Sequence, residues 1–156
     1  MEPAVYAIAT MDTKGRELSF VADRIREAGV AVRTVDVGTK GPPQSTPDVS
    51  REEVAAHRPD AGPGAASTRG EAISAASKAL TNYLVAEHEQ GRVAGVLGLG
   101  GSGGTALIAP AMRALPIGLP KVMVSTVASG DVSAYVGCSD VCMLYSVVDV
   151  AGLNVV

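Results

Sequence analysis

The sequence predicts an α/β fold, a three-layer domain whose mostly parallel sheet has about five strands. Short apolar runs rich in Val and Ile alternate along the chain with amphipathic helical stretches. The connections between the first of these elements are short, which is typical of parallel strands joined by a right-handed crossover. The length of 156 residues is that of one domain.

The first strand–helix–strand unit sets the pattern. An apolar run at 4–9 predicts a buried strand, and the polar stretch 10–15 that follows predicts a loop. The next residues have helical apolar spacing, and Gly29 marks the end of that helix. A second apolar run predicts a strand at 30–37.

Two capping boxes predict the helices in the middle of the chain. Ser50 pairs with Glu53 to start a short helix, and Thr68 pairs with Glu71 to start a longer one that ends at Gly91. Between the two helices, prolines and glycines predominate and few side chains could pack. We expect that stretch to be a flexible excursion.

The last part of the chain begins with a third strand at 93–99. The glycine-rich turn after it leads into a helix towards Leu115, in which Pro110 predicts a kink or a displaced start. The fourth strand is predicted at 121–126 and the fifth at 141–148, with a loop at 128–139 between them.

Composition excludes several classes of protein. The net charge of −3 and the scarcity of aromatics, with one Phe, four Tyr and no Trp, argue against a nucleic-acid binder. No apolar run is long enough for a membrane span, and no signal peptide is visible, so we expect a cytoplasmic protein. Cys138 and Cys142 lack further zinc ligands nearby and are predicted to be buried thiols.

Parallel α/β sheets bind ligands at the carboxyl ends of their strands, so the glycine-rich turn after the third strand is the first candidate site. It partly fits a dinucleotide-binding turn, a P-loop and a nucleophile elbow. The dinucleotide turn lacks its acidic partner, the P-loop lacks its lysine and the elbow lacks a histidine after Ser102. No complete motif for catalysis is present.

What these patterns share is backbone amides that an anion can approach without meeting side chains. The following helix adds unpaired N–H groups and the positive end of its dipole. The turn therefore predicts a phosphate site, while the competing interpretation is a glycine turn needed for tight strand–helix packing. The candidate phosphate ligands here are Gly100, Gly101, Ser102, Gly103, Gly104 and Thr105.

Three other loops should reach the same edge of the sheet. The loop after the first strand offers two hydroxyls, a carboxylate and the ammonium group that the glycine turn lacks. Asp36, at the end of the second strand, suits a ribose hydroxyl, and Asp131 could hold Mg²⁺ through water. The remaining candidate ligands of the cofactor are Thr10, Asp12, Thr13, Lys14, Ser125, Thr126 and Ser129.

Three segments together resemble the family of the tomato mosaic virus resistance protein, whose bacterial and fungal members form an uncharacterised protein family. They are residues 10–15, 98–105 and 124–131, and the tail 145–154 is similar too. The resemblance covers nearly the whole chain. It implies an N-terminal, Rossmann-like ATP-binding domain, followed in longer members by a second domain, and a tendency to form homodimers.

These observations lead to three hypotheses. In the first, residues 1–156 are a single N-terminal nucleotide-binding domain, cut from a longer two-domain chain, that holds ATP and Mg²⁺. In the second, the domain belongs to an enzyme acting on a small phosphorylated or carboxylated metabolite, completed by a missing C-terminal domain. In the third, it is an assembly module without a physiological small ligand.

Overall fold

A computed structural model describes residues 2–59 and 68–146. They form one five-stranded sheet in which every neighbouring pair is parallel. The strands are β1 (Ala4–Ala9), β2 (Val32–Asp36), β3 (Val93–Gly100), β4 (Lys121–Ser125) and β5 (Cys142–Tyr145). The α-helices are α1 (Met11–Glu27), α2 (Arg51–Ala55), α3 (Arg69–Glu89), α4 (Ser102–Ala114) and α5 (Ser133–Val136).

The strand order is β2-β1-β3-β4-β5, one of the two common orders of doubly wound sheets. The chain moves from β1 to one neighbour, β2, and then crosses back over β1 to reach β3. The order therefore reverses between β1 and β3, and a crevice opens where the chain leaves their carboxyl ends. The segments that leave those two ends contain the first polar stretch and the glycine turn.

Helices cover both faces of the sheet, which confirms the three-layer α/β prediction. On one face, Tyr6 and Ile8 of β1 pack with Leu80 of α3 and Ile108 of α4 in the larger core. On the other face, a smaller cluster joins Ala7, Ala9 and Leu99 to Met11 and Leu18 of α1. Among the described residues, no helix is long and apolar enough to cross a membrane.

The predicted elements all occur, but two predicted loops contain helix. Residues 10–15 are not a loop, because α1 begins at Met11, with non-helical angles at Lys14 alone. The predicted loop at 128–139 contains α5 and part of a 3-10 helix, Thr126–Ser129. Short polar residues are favoured at helix starts as well as in loops. In both segments they lie at helix starts, which is why the loop predictions were wrong.

The predicted helix starts are present, and Pro110 does not displace the start of α4. This proline lies inside α4, which begins at Ser102. The capping box of Thr68 and Glu71 is present, and the Ser50 hydroxyl accepts the amide of Glu53. Most of the predicted flexible excursion at 58–67, and the end of the predicted fifth strand, lie outside the described residues.

The two cysteines are exposed, so the prediction of buried thiols is wrong. Cys142 belongs to β5, which is one of the two edge strands of the described sheet, and Cys138 follows the short helix α5. The prediction rested on the absence of further zinc ligands, which says nothing about where the strand lies in the sheet.

The close approach of α4 to β3 depends on two glycines of β3. A Cβ on Gly100 would lie 3.0 Å from backbone atoms of Gly104 and Thr105. A Cβ on Gly98 would lie 3.0 Å from side-chain carbons of Ile108 and Met112. These distances are shorter than ordinary van der Waals contact, so both glycines serve the packing of the helix on the strand.

We predict opposite effects of alanine at two glycines of this turn. Gly100→Ala should lower the free energy of unfolding by about 1–3 kcal/mol, because helix backbone would have to move. Gly104→Ala should raise it by about 0.4–1 kcal/mol, since its nearest contact would be at an ordinary 3.7 Å. Urea unfolding of both variants measures this; a Gly100→Ala variant as stable as the wild type would contradict the packing argument.

An ion pair between the buried Lys121 and the exposed Asp140 holds the start of β4. Lys121 is 2% exposed, and its ammonium lies 2.6 Å from Asp140 and donates to the Pro116 carbonyl at 2.6 Å. Asp140 also accepts the amide of Gly118 at 2.7 Å. The hydrogen bond from Lys121, followed by that from the Gly118 amide, lowers the pKa of Asp140 to about 2.

This low pKa predicts a loss of stability in acid. Because the pKa of Asp140 is lower in the folded than in the unfolded state, its contribution is complete above about pH 4. It is lost as the pH falls through the folded value of about 2. Asp140→Asn should therefore flatten the decline in melting temperature over that window, whereas Asp23→Asn, at an exposed ion pair with Arg26, should keep the wild-type decline.

Candidate functional site

A cavity of about 310 Å³ lies at the switch point between β1 and β3. The starts of α1 and α4 face each other across it, and α3 forms one wall. It is called the first cavity below. Its lining residues are Thr10, Asp12, Thr13, Lys14, Thr39, Lys40, Ile73, Gly101, Ser102, Gly103, Gly104, Leu107 and Thr126.

The start of α4 supplies backbone donors to the first cavity. Gly101 is the N-cap residue, and no side chain within the described ranges caps the helix there. The first amide of the helix with an intrahelical partner is that of Thr105, which donates to the Gly101 carbonyl. The amides of residues 102–104 come before it and have no partner within the helix. Unpaired N–H groups and the positive end of the helix dipole thus coincide with the cavity wall.

Two glycines of the turn have room around them. A Cβ on Gly101 would first meet the Thr126 hydroxyl at 3.6 Å, and one on Gly104 the Leu99 carbonyl at 3.7 Å. Both distances are ordinary contacts, so packing does not require glycine at these positions. Gly98 and Gly100 thus fit the packing interpretation of the turn, whereas Gly101 and Gly104 line the first cavity.

The start of α1 brings polar side chains to the opposite wall. The Thr10 and Thr13 hydroxyls lie 2.9 Å apart, and the Thr13 hydroxyl also donates to the Thr10 carbonyl. Lys14 lies at the break in the helix, with its ammonium 3.5 Å from the Glu17 carboxylate. All the site residues predicted in this segment, Asp12 included, lie on the first cavity.

Asp12 connects this wall to the loop after β2. Its Oδ2 accepts the amides of Lys40 at 3.0 Å and Gly41 at 3.3 Å. The loop is therefore held over the start of α1, which brings Thr39 and Lys40 to the first cavity. The sequence analysis missed both residues. Their position just after the second strand was the available signal, since that loop had to reach the same edge.

The Asp36 carboxylate is hydrogen-bonded to other residues of the protein. It is 1% exposed, and its Oδ1 accepts the amides of Met11 at 3.0 Å and Gly38 at 2.7 Å. Its Oδ2 accepts from the Arg51 guanidinium at 2.8 Å. In this structure the carboxylate joins the ends of β1 and β2, and the predicted contact with a ribose stays a prediction.

A hydroxyl pair supports the first cavity from behind. Thr105 and Ser125 are both buried, and their side-chain oxygens lie 2.5 Å apart. Ser125 also accepts the amide of Val127, and Thr105 donates to the Gly101 carbonyl. The pair thus joins the end of β4 to α4, while the neighbouring Thr126 lies on the cavity itself.

The last two predicted residues lie away from the lining of the first cavity. Ser129 is exposed and donates to the Thr126 carbonyl at 3.4 Å. Asp131 is exposed and accepts the amide of Ser133 at 2.9 Å, a hydrogen bond that lowers its pKa. Within residues 2–59 and 68–146 no three His, Cys, Asp or Glu residues cluster as metal ligands, and Asp131 as an Mg²⁺ ligand stays a prediction.

A second cavity, of about 390 Å³, adjoins the first. It lies between the end of β2, α2 and α3, and Thr39 lines both cavities. Its walls combine the Asp36–Arg51 ion pair with small apolar side chains, and Arg58 and Glu52 complete its polar part. Together the two cavities form a cleft along the carboxyl edge of the sheet.

Chemically, the first cavity suits an anion. Two lysines, the start of one helix and several hydroxyl-bearing residues line it, and Asp12 is the single acidic residue among its described lining residues. Such a set of donors can hold phosphate oxygens without any catalytic group. The second cavity offers mostly apolar surface instead.

Comparison with known proteins gives a family and several relatives. Residues 3–156 match the N-terminal domain of an uncharacterised protein family, UPF0261. A UPF0261 protein of Rhizobium meliloti is 49% identical over 155 residues, covering 96% of this chain and 37% of the relative. A UPF0261 protein of Clostridium tetani is 38% identical, covering 99% of this chain and 39% of the relative.

A plant protein is also similar. The ToMV resistance protein Tm-1 of Solanum lycopersicum is 40% identical over 169 residues, covering 97% of this chain and 22% of the plant protein. The chain therefore spans less than two fifths of the length of the curated bacterial relatives described above. It belongs to the UPF0261 family, as the N-terminal domain of that family.

Proposed function

We propose that this domain binds ATP, with the phosphates on the amides of residues 102–104. The observation that carries the proposal is the place of the first cavity, at the switch point where doubly wound sheets bind their ligands. The uncapped start of α4 faces that cavity with its N–H donors and the positive end of its dipole.

The charges around the first cavity support a phosphate chain over a neutral ligand. Lys14 of α1 and Lys40 of the loop after β2 both line the cavity and would supply the cation that a P-loop lysine otherwise provides. Mg²⁺ is usually held by one or two carboxylates together with phosphate oxygens. We assign that role to Asp12, since it lines the cavity and Asp131 does not.

The greater length of the relatives supports a further proposal, that the domain acts together with a C-terminal domain in a longer protein. A homodimer is proposed on the resemblance alone. The name of the tomato relative refers to resistance to ToMV, and we do not propose that role for this domain.

The first test replaces the cation on α1. Lys14→Met should weaken binding of ATP with Mg²⁺ by about tenfold or more, because a charge-assisted contact to phosphate is lost. Isothermal titration calorimetry measures the affinity. Lys78→Met is the matched control, since that exposed lysine on α3 lies outside the first cavity. Equal affinities of the two variants would contradict the assigned site.

The second test adds bulk to the glycine turn. Gly103→Val places a branched side chain at the second residue of α4, within the cavity lining, and should abolish detectable ATP binding. Gly70→Val makes the same change at the second residue of α3 and should leave ATP affinity unchanged. Melting temperatures of both variants show that they fold; wild-type affinity in a folded Gly103→Val variant would refute the turn as the phosphate site.

A further inference from the structure

We propose that the second cavity takes the nucleoside half of the ligand, so that the cleft selects a nucleotide over a bare polyphosphate. This inference rests on the proposed function, because it assumes that the phosphates lie in the first cavity. It assigns the apolar wall of α3 and the Arg51 guanidinium to recognition of the base and the ribose.

The two cavities are successive parts of one cleft. Thr39 lines both, and α3 contributes Ile73 to the first cavity and Ala72 and Ala76 to the second. A ligand that starts on α4 and extends towards the end of β2 passes from one to the other without leaving the edge of the sheet. Their volumes of about 310 and 390 Å³ suit two parts of an extended ligand.

The wall of the second cavity suits a flat apolar group. Three alanines of α3, at positions 72, 76 and 79, line it together with Val37 and Val54, which are buried in the larger core. Alanines at spacings of four and three lie on one face of a helix, so they form a continuous surface without large side chains. A planar ring system can lie against such a surface, whereas an inorganic phosphate gains nothing from it.

The polar part of the second cavity is set by an ion pair. The Arg51 Nε atom donates to the buried Asp36 carboxylate at 2.8 Å, and Nη2 lies at the same distance from that carboxylate without the alignment of a hydrogen bond. Nη2 is therefore a buried donor with no hydrogen-bond acceptor among the described residues. A hydroxyl or ring nitrogen of a nucleoside could accept from it. Asp36 then acts as a positioning residue for Arg51.

The test compares ATP with inorganic tripolyphosphate, which carries the phosphates without the nucleoside. Calorimetry with Mg²⁺ should show ATP binding to the wild type about tenfold or more tightly. Ala76→Leu, which fills the second cavity, should remove that difference while leaving tripolyphosphate affinity within about twofold. Ala75→Leu, on the same helix but outside the second cavity, should keep it.

The outcomes separate the two proposals. If neither ATP nor tripolyphosphate binds the wild type, the proposed function itself is refuted. If both bind equally tightly, or if Ala76→Leu with a wild-type melting temperature retains the preference for ATP, the phosphate site stands and the assignment of the second cavity is overturned. If Ala76→Leu weakens both ligands equally, the effect is not local to the nucleoside and the assignment is also overturned.

Discussion

The structure depends on the close packing of α4 against β3. Gly98 and Gly100 let the helix approach the strand so closely that a single Cβ on either would meet neighbouring atoms at 3.0 Å or less. This contact fixes where α4 begins and therefore where its free amides point. Because β3 lies beside β1 at the reversal of strand order, the helix start is brought opposite the start of α1.

Two carboxylates then arrange the loops around that crevice. Asp36 accepts amides at the ends of β1 and β2, and Asp12 accepts two amides of the loop after β2. Each connects segments that are distant in sequence. Each also accepts hydrogen bonds from amides that would otherwise be unpaired or bonded to water. The polar cleft is thus shaped by acidic side chains, although the ligand that we propose for it is an anion.

Much of this arrangement was predictable from sequence, because it follows from local patterns. Apolar runs predict the strands, and the capping box at Thr68 and Glu71 predicts the start of α3. The rule that ligands bind at the carboxyl ends of strands led to the segments that line the first cavity. The sequence could not predict which distant residues form hydrogen bonds and ion pairs with one another. Asp36 looks like a free loop carboxylate until Met11 and Arg51 are seen around it, and Lys40 acquires its place only through Asp12.

The glycines of residues 98–104 serve two different ends, and this has a consequence for how the family can diverge. Gly98 and Gly100 are needed for the packing of α4 on β3, whereas a Cβ on Gly101 or Gly104 would make only ordinary contacts and both residues line the first cavity. A family member that did not use the first cavity would be free to replace Gly101 and Gly104 but would have to retain Gly98 and Gly100. These two glycines would then persist for packing alone.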